Sequence, residues 1–148
     1  AGILTGSDAY GTFRSNDTIN RGQAAAKMSQ WHQEFGSQIE AVFANNDDMA
    51  LGAIDVLLEA GVAPEEMPVI VGVDATGDGR AAVAEGKMAM TAFQDGAEMG
   101  RAAVQAALNM INGKDPSEGI DYKPTEDNPY VLARDFVMVT AENVDEIG

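Results

Sequence analysis

The run Pro68-Val-Ile-Val-Gly-Val73 restricts the fold more than any other feature of the sequence. It is short, β-branched and apolar at consecutive positions, so a strand built from it must be covered on both faces. Such a strand suits the middle of a parallel sheet, and parallel neighbours need crossover connections. The flanking sequence supplies both. Ile39–Ala44 and Met88–Phe93 read as further strands, Tyr10–Ser15 as a weaker one and Tyr130–Val139 as a last extended piece.

Helical patterns alternate with these runs. Ala24, Met28, Trp31 and Phe35 recur at three- and four-residue spacing between Gln23 and Phe35, and Gly36 stops the helix. A second helix follows Asn45-Asn46-Asp47-Asp48, with Asp47 or Asp48 as its cap, and reaches about Ala60. Its residues Met49, Ala53, Ile54, Leu57 and Leu58 are expected to face inward. The Gly- and Asp-rich loop 74–79 leads into a short helix ending at Gly86. Asp95 caps a long helix reaching Asn112, and Thr140 caps a terminal helical turn. Strand, loop, helix, strand is βαβ repetition. It predicts an α/β fold, a three-layer arrangement of parallel sheet with helices on both faces.

Charge and composition remove several functions. The 148 residues hold 24 Asp+Glu against 9 Lys+Arg, a formal charge of −15, which repels nucleic acid and anionic membranes. No cysteine is present, so disulfides, thiolate nucleophiles and Cys-ligated zinc drop out. One histidine, His32, and no GxSxG serine nearly exclude a nucleophilic triad, and the glycine-rich loop after Val73 lacks the spacing of GxGxxG and the lysine of a P-loop, so no cofactor is expected. The opening at Ala1 rather than Met suggests a processed or partial product.

In open parallel sheets, ligands sit outside the carboxyl ends of the strands. The three best strands end at Asn45-Asn46, Asp74 and Gln94-Asp95, each with amides or carboxylates and none with Lys or His. Such a rim suits hydroxyl groups, because carboxylates accept from them and amides both donate and accept. Asn and Asp also cap helices and build turns, but three such ends in succession favour a binding role. The segment from Asp74 to Glu85 imitates an EF-hand loop, yet a strand precedes it and Thr76 occupies a ligand position, so no metal is expected. Asp47-Asp48 could hold magnesium as in a receiver domain, but the Gln94 end lacks the lysine that this chemistry uses.

Ala44-Asn-Asn-Asp-Asp-Met-Ala-Leu-Gly52, Val71-Gly-Val-Asp-Ala-Thr76, Glu85-Gly-Lys-Met88 and Phe93-Gln-Asp95, in that order, resemble periplasmic sugar-binding proteins of ABC importers, of the galactose/glucose- and ribose-binding type. The match runs from about Gln23 to Gly113 and more loosely beyond. It implies non-catalytic binding of a monosaccharide, with Asn46, Asp74 and Gln94 at positions that bind sugar hydroxyls in the family. Ile19 and Asn20 fall where the galactose type carries a sugar-stacking Trp and an Asp; Ile19 cannot stack as an aromatic does. The resemblance also implies a membrane ABC permease as partner of the full receptor. The implied location is periplasmic or extracellular, lipid-anchored in a Gram-positive source. LacI-type regulators share the core, which leaves an effector-sensing domain as the alternative.

Against the family, the chain corresponds to one incomplete periplasmic-binding-protein lobe with added segments. Residues 1–94 match most of the C-terminal lobe, 95–129 a segment that in the family belongs to the N-terminal lobe, and 130–148 the return. One lobe supplies half the contacts to a sugar enclosed by two, so the affinity expected of this chain alone is on the order of millimolar or too weak to measure, where 1 mM corresponds to ~4 kcal/mol. The apolar face of the long helix, with Met99, Ala103, Ala106, Met110 and Ile111, would lack its family partner. Either Tyr10–Ser15 moves in beside Ile39–Ala44 with the long helix folded back on its own sheet, or two copies pack these surfaces together as a homodimer, and the homodimer is the expectation favoured. Sedimentation tests it: a compact monomer at high concentration is the result that excludes the dimer.

Overall fold

A computed structural model describes residues 21–128 and 131–147. The expected strand Tyr10–Ser15 and the candidate positions Ile19 and Asn20 lie outside the described residues. The chain divides into two compact units, Ala1–Phe93 with Met138–Gly148, and Gln94–Val137.

The first unit is built from α1 (Arg21–Phe35), β1 (Ala41–Phe43), α2 (Asp47–Glu59), β2 (Val69–Asp74), α3 (Gly77–Ala84) and β3 (Met90–Phe93). The sheet order is β1-β2-β3-β6, where β6 spans Val137–Val139. β1 pairs parallel to β2 with Val42 opposite Ile70, and β2 pairs parallel to β3 with Gly72 opposite Thr91. The apolar run at Pro68–Val73 thus becomes the strand with parallel neighbours on either side. The strands are shorter than the apolar runs. Ile39 is buried before β1 begins, and Met88 is buried before β3 begins, so burial extends the hydrophobic signal past the ladder.

Sequential parallel strands in the order β1-β2-β3 put both right-handed crossovers on one face. α2 and α3 accordingly share a core with the strand residues beneath them: Leu57, Ile54 and Val83 cluster with Val42 and Ile70. Burying side chains of this size is worth about 1.5–3 kcal/mol each. On the opposite face Phe43 and Val69 are 46% and 57% exposed. Leu58, expected inward, is exposed, because it falls outside the buried stripe Met49–Ala53–Ile54–Leu57. The cap of α2 is Asn46, and not Asp47 or Asp48.

α1 buries Ala24 and Met28 and lies along α2. Their close approach depends on Gly52. A Cβ there would lie 2.3 Å from the Arg21 carbonyl oxygen, a backbone atom that cannot rotate away. At the same crossing, the Arg21 guanidinium holds Asp55 through two bonds, Nε to Oδ2 at 2.6 Å and an Nη nitrogen to Oδ1 at 2.9 Å.

The second unit contains α4 (Gly96–Ile111) and the antiparallel pair β4 (Lys123–Pro124) and β5 (Leu132–Ala133). Asp95 caps α4, accepting from the Glu98 N–H at 2.9 Å. Asn109, buried on α4, donates to the carbonyls of Pro116 and Glu118 and so pins the following loop to the helix. The apolar residues Met99, Met110 and Ile111 of α4 are exposed. The extended piece expected over Tyr130–Val139 is interrupted, giving the separate short strands β5 and β6. Thr140 opens the terminal turn, its hydroxyl accepting from the Glu142 N–H at 3.3 Å and its carbonyl from the Val144 N–H at 3.0 Å, and the short helix Val144–Glu146 follows after Asn143.

Gly52→Ala is expected to push α1 off α2 and cost about 1–3 kcal/mol, as overpacking of a close helix contact does. A urea midpoint equal to that of the unsubstituted chain would show that the crossing has slack.

Candidate functional site

The site begins with a carboxylate that never reaches solvent. Asp47 opens α2 and is fully buried. Its Oδ2 accepts from the Thr76 N–H at 2.7 Å and the Thr76 hydroxyl at 3.1 Å. Its Oδ1 accepts from the Thr91 hydroxyl at 2.6 Å. A buried charge is costly unless it is hydrogen-bonded, and here both oxygens are satisfied. The positive ends of the α2 and α3 dipoles lie beside it, since Asp47 is the first residue of α2 and Thr76 is the cap of α3. Room for the carboxylate comes from two glycines. A Cβ on Gly72 would lie 2.4 Å from Asp47 Oδ1, and one on Gly79 2.1 Å from Oδ2.

This staple joins the start of α2, the turn after β2 and the interior of β3. The residues on either side of it carry the rim. Asn46, immediately before Asp47, is half-buried and extended, and its Oδ1 accepts from the Met49 N–H at 3.0 Å. That bond fixes the amide orientation, because a backbone N–H can only donate. The two hydrogens on Nδ2 are then the group that Asn46 can offer to a ligand.

Asp74 closes β2, the strand paired with β1, so Asn46 and Asp74 follow neighbouring strands. The backbone turns sharply here: Asp74 has φ 106° and Ala75 φ 52°, both in the region that favours glycine. Such conformations cost about 1–3 kcal/mol each and persist where surroundings over-determine them. The surroundings here are specific. The Ala75 N–H donates to Thr91 Oγ1 at 3.1 Å, and the Ala75 carbonyl accepts from an Arg80 guanidinium nitrogen at 3.0 Å. Asp74 itself is half-buried, and burial, then the charges of Asp47 and Asp48, push its carboxyl above the ordinary carboxylate range.

Gln94 directly follows Phe93, the last residue of β3, and is the first residue of the second unit. Asn46 and Asp74 thus follow adjacent strands of one unit, while Gln94, expected as the third strand end, opens the second unit. The sequence did not reveal the staple beneath Asn46 and Asp74. Local sequence offers Asp47 only as a helix cap or a magnesium ligand and gives Thr91 no role beyond its strand. One signal was available: a glycine interrupting the apolar run of a central strand marks a close approach by something else.

Elsewhere, His32 lies in the last turn of α1 and lines a cavity of about 370 Å³ with Ile39, Leu57, Glu66 and Pro68, at the amino ends of the strands. Among the described residues, no group of three or more His, Asp or Glu side chains could hold a metal ion.

In open parallel sheets the crevice outside the carboxyl ends of the strands is where ligands bind, and here those ends carry Asn46 and Asp74. Residues 9–115 match the periplasmic binding protein domain, and the chain belongs to that family. It is 37% identical to a xylitol-binding protein of Mycolicibacterium smegmatis over 133 residues, 88% of this chain and 34% of that protein. An ABC transporter solute-binding protein of Bacillus halodurans, solved with bound myo-inositol, is 34% identical with a TM-score of 0.67, over 86% of this chain and 39% of that one. A periplasmic solute-binding protein of Actinobacillus succinogenes, solved with bound D-allose, is 26% identical with a TM-score of 0.69, over 86% and 40% of the two chains. The chain thus spans well under half the length of these relatives.

The raised carboxyl of Asp74 has a direct consequence for stability. A carboxyl whose folded value exceeds its unfolded one favours folding when protonated, and that advantage is lost as pH rises through the folded value. Asp74→Asn is therefore expected to raise the urea midpoint at neutral pH. The part of the gain due to charge should vanish below about pH 4, near the unfolded aspartate value. Any gain from the greater ease of asparagine in the left-handed region would persist at all pH values, so a pH-independent gain would remove the charge explanation.

Proposed function

We propose that this chain carries the ligand-recognising rim of a sugar- or polyol-binding receptor of an ABC importer. The observation that supports this most directly is the pairing of a donor with an acceptor on adjacent strand ends. Asn46 has committed its oxygen to α2 and offers N–H groups. Asp74 offers carboxylate oxygens at a strained turn. A hydroxyl group can accept from the first and donate to the second, so neighbouring hydroxyls on one carbon skeleton fit both. Gln94, which follows β3, carries an amide that both donates and accepts.

The ligands named for the relatives, xylitol, myo-inositol and D-allose, differ in skeleton but share runs of adjacent hydroxyls. A neutral polyhydroxylated compound is therefore the class proposed, with a monosaccharide of galactose, glucose or ribose type within it. The unit Ala1–Phe93 with Met138–Gly148 is taken as the lobe bearing Asn46 and Asp74, and Gln94–Val137 as the stretch that leads toward the other lobe. The full receptor would work in the periplasm or at the cell surface and deliver its ligand to a membrane permease. Binding and delivery involve no bond making, and a donor paired with an acceptor is what they require.

The test is an NMR titration of the chain with xylitol, D-allose and myo-inositol, which detects affinities down to the millimolar range. Shifts concentrated at Asn46 and Asp74 are expected. Asn46→Ser retains a good helix cap and so should change stability by only a few tenths of a kcal/mol. It removes the amide hydrogens, and the titration shifts should shrink or disappear. Unchanged shifts in that variant would remove Asn46 from the site.

A further inference from the structure

We propose that Thr91 and Asp47 act together as positioning residues that hold the left-handed Asp74–Ala75 turn, and so aim the Asp74 carboxylate at the ligand. The proposal rests on the reading of Asp74 as a ligand contact. Neither Thr91 nor Asp47 reaches solvent, since both are fully buried, so neither touches a ligand itself.

Thr91 is the link between them. Its hydroxyl has one hydrogen, which it gives to Asp47 Oδ1 at 2.6 Å, and a lone pair, which takes the Ala75 N–H at 3.1 Å. The buried charge thereby fixes the rotation of the hydroxyl: with the hydrogen drawn to Asp47, the lone pair is left facing Ala75. The second arm acts on the next residue, because Asp47 Oδ2 takes the Thr76 N–H at 2.7 Å. Consecutive amides, Ala75 and Thr76, are therefore held by one carboxylate, the first through Thr91 and the second directly. An extended or right-handed backbone at 74–75 would turn these amides away from their acceptors and leave buried groups unsatisfied, a cost of about 1–3 kcal/mol for each. That cost balances the strain of two successive positive φ values. Gly72 and Gly79 leave no alternative filling for the space, because the carboxylate occupies the volume their side chains would take.

Sequence position alone would assign Thr91 to a sheet interior and nothing more. A merely structural role predicts that its loss weakens the whole unit evenly. A positioning role predicts a local loosening, and amide hydrogen exchange separates the two. Thr91→Val keeps the shape of the side chain and removes the hydroxyl, while Thr91→Ser keeps the hydroxyl and removes a methyl.

In the full chain, exchange at Ala75 and Thr76 in Thr91→Val is expected to accelerate at least about tenfold more than exchange at Ile70, the effect of losing one buried hydrogen bond. Thr91→Ser should restore the local protection, whatever it does to overall stability. Acceleration of Ala75, Thr76 and Ile70 by one common factor would overturn the proposal, as would failure of serine to rescue. A polyol titration of the same variants tests the functional half. Where xylitol or myo-inositol shifts Asp74 in the unsubstituted chain, Thr91→Val should weaken the response about tenfold and Thr91→Ser should retain it. A response undiminished in Thr91→Val overturns the aiming role. Silence of the unsubstituted chain toward both compounds counts against the ligand reading, while the exchange result still decides whether the turn is held as proposed.

Discussion

The arrangement of the strand ends depends on the buried carboxylate of Asp47. Three segments distant in sequence meet on it: the start of α2, the turn after β2 and the interior of β3. Hydrophobic packing alone would hold α2 and α3 on the sheet, but it is non-directional and would leave the polar loops at the carboxyl ends free to choose among conformations. A carboxylate with all its partners defined has far fewer options. Its partners are also scarce, because a buried network is stable only when each member is satisfied. The tolerance for change at Gly72, Thr76, Gly79 and Thr91 is correspondingly narrow.

That rigidity bears directly on recognition. A ligand with several hydroxyls gains little from each hydrogen bond, since water offers the same bonds in the free state. Affinity then comes from groups that are already in place and lose little entropy on binding. Asn46 is locked by its cap to α2, and Asp74 is held by a turn whose amides are fixed from beneath. Partial burial and the neighbouring charges of Asp47 and Asp48 also deprive the Asp74 carboxyl of stabilisation when no ligand is present. A hydroxyl donating to it would supply what the lone carboxylate lacks.

The two units differ in how their apolar surface is used. In the first, α2 and α3 bury one face of the sheet, while Phe43 and Val69 on the other remain partly open. In the second, α4 exposes Met110 and Ile111 and buries a polar residue, Asn109, whose amide serves the loop carbonyls behind it. An amphipathic pattern establishes that a helix has an apolar stripe; it does not establish that the chain itself covers the stripe.

The order of strands and helices was legible in the sequence, because apolar periodicity and glycine stops report local backbone preference directly. The parallel sheet followed from the consecutive apolar residues of β2, and the rim from the polar residues that end each strand. Even the candidate residues Asn46 and Asp74 stood out, since strand ends are where such folds bind. The tertiary structure alone decided which of four adjacent polar residues does what. Asn45, Asn46, Asp47 and Asp48 look alike as a sequence, yet Asn46 caps α2 and Asp47 turns inward. The reason is that their roles are set by partners far along the chain: Thr76 is 29 residues away and Thr91 is 44. Local sequence encodes the propensity to cap or to turn, while the choice of which carboxylate is buried is made only when the start of α2, the turn after β2 and the interior of β3 come together around two glycines.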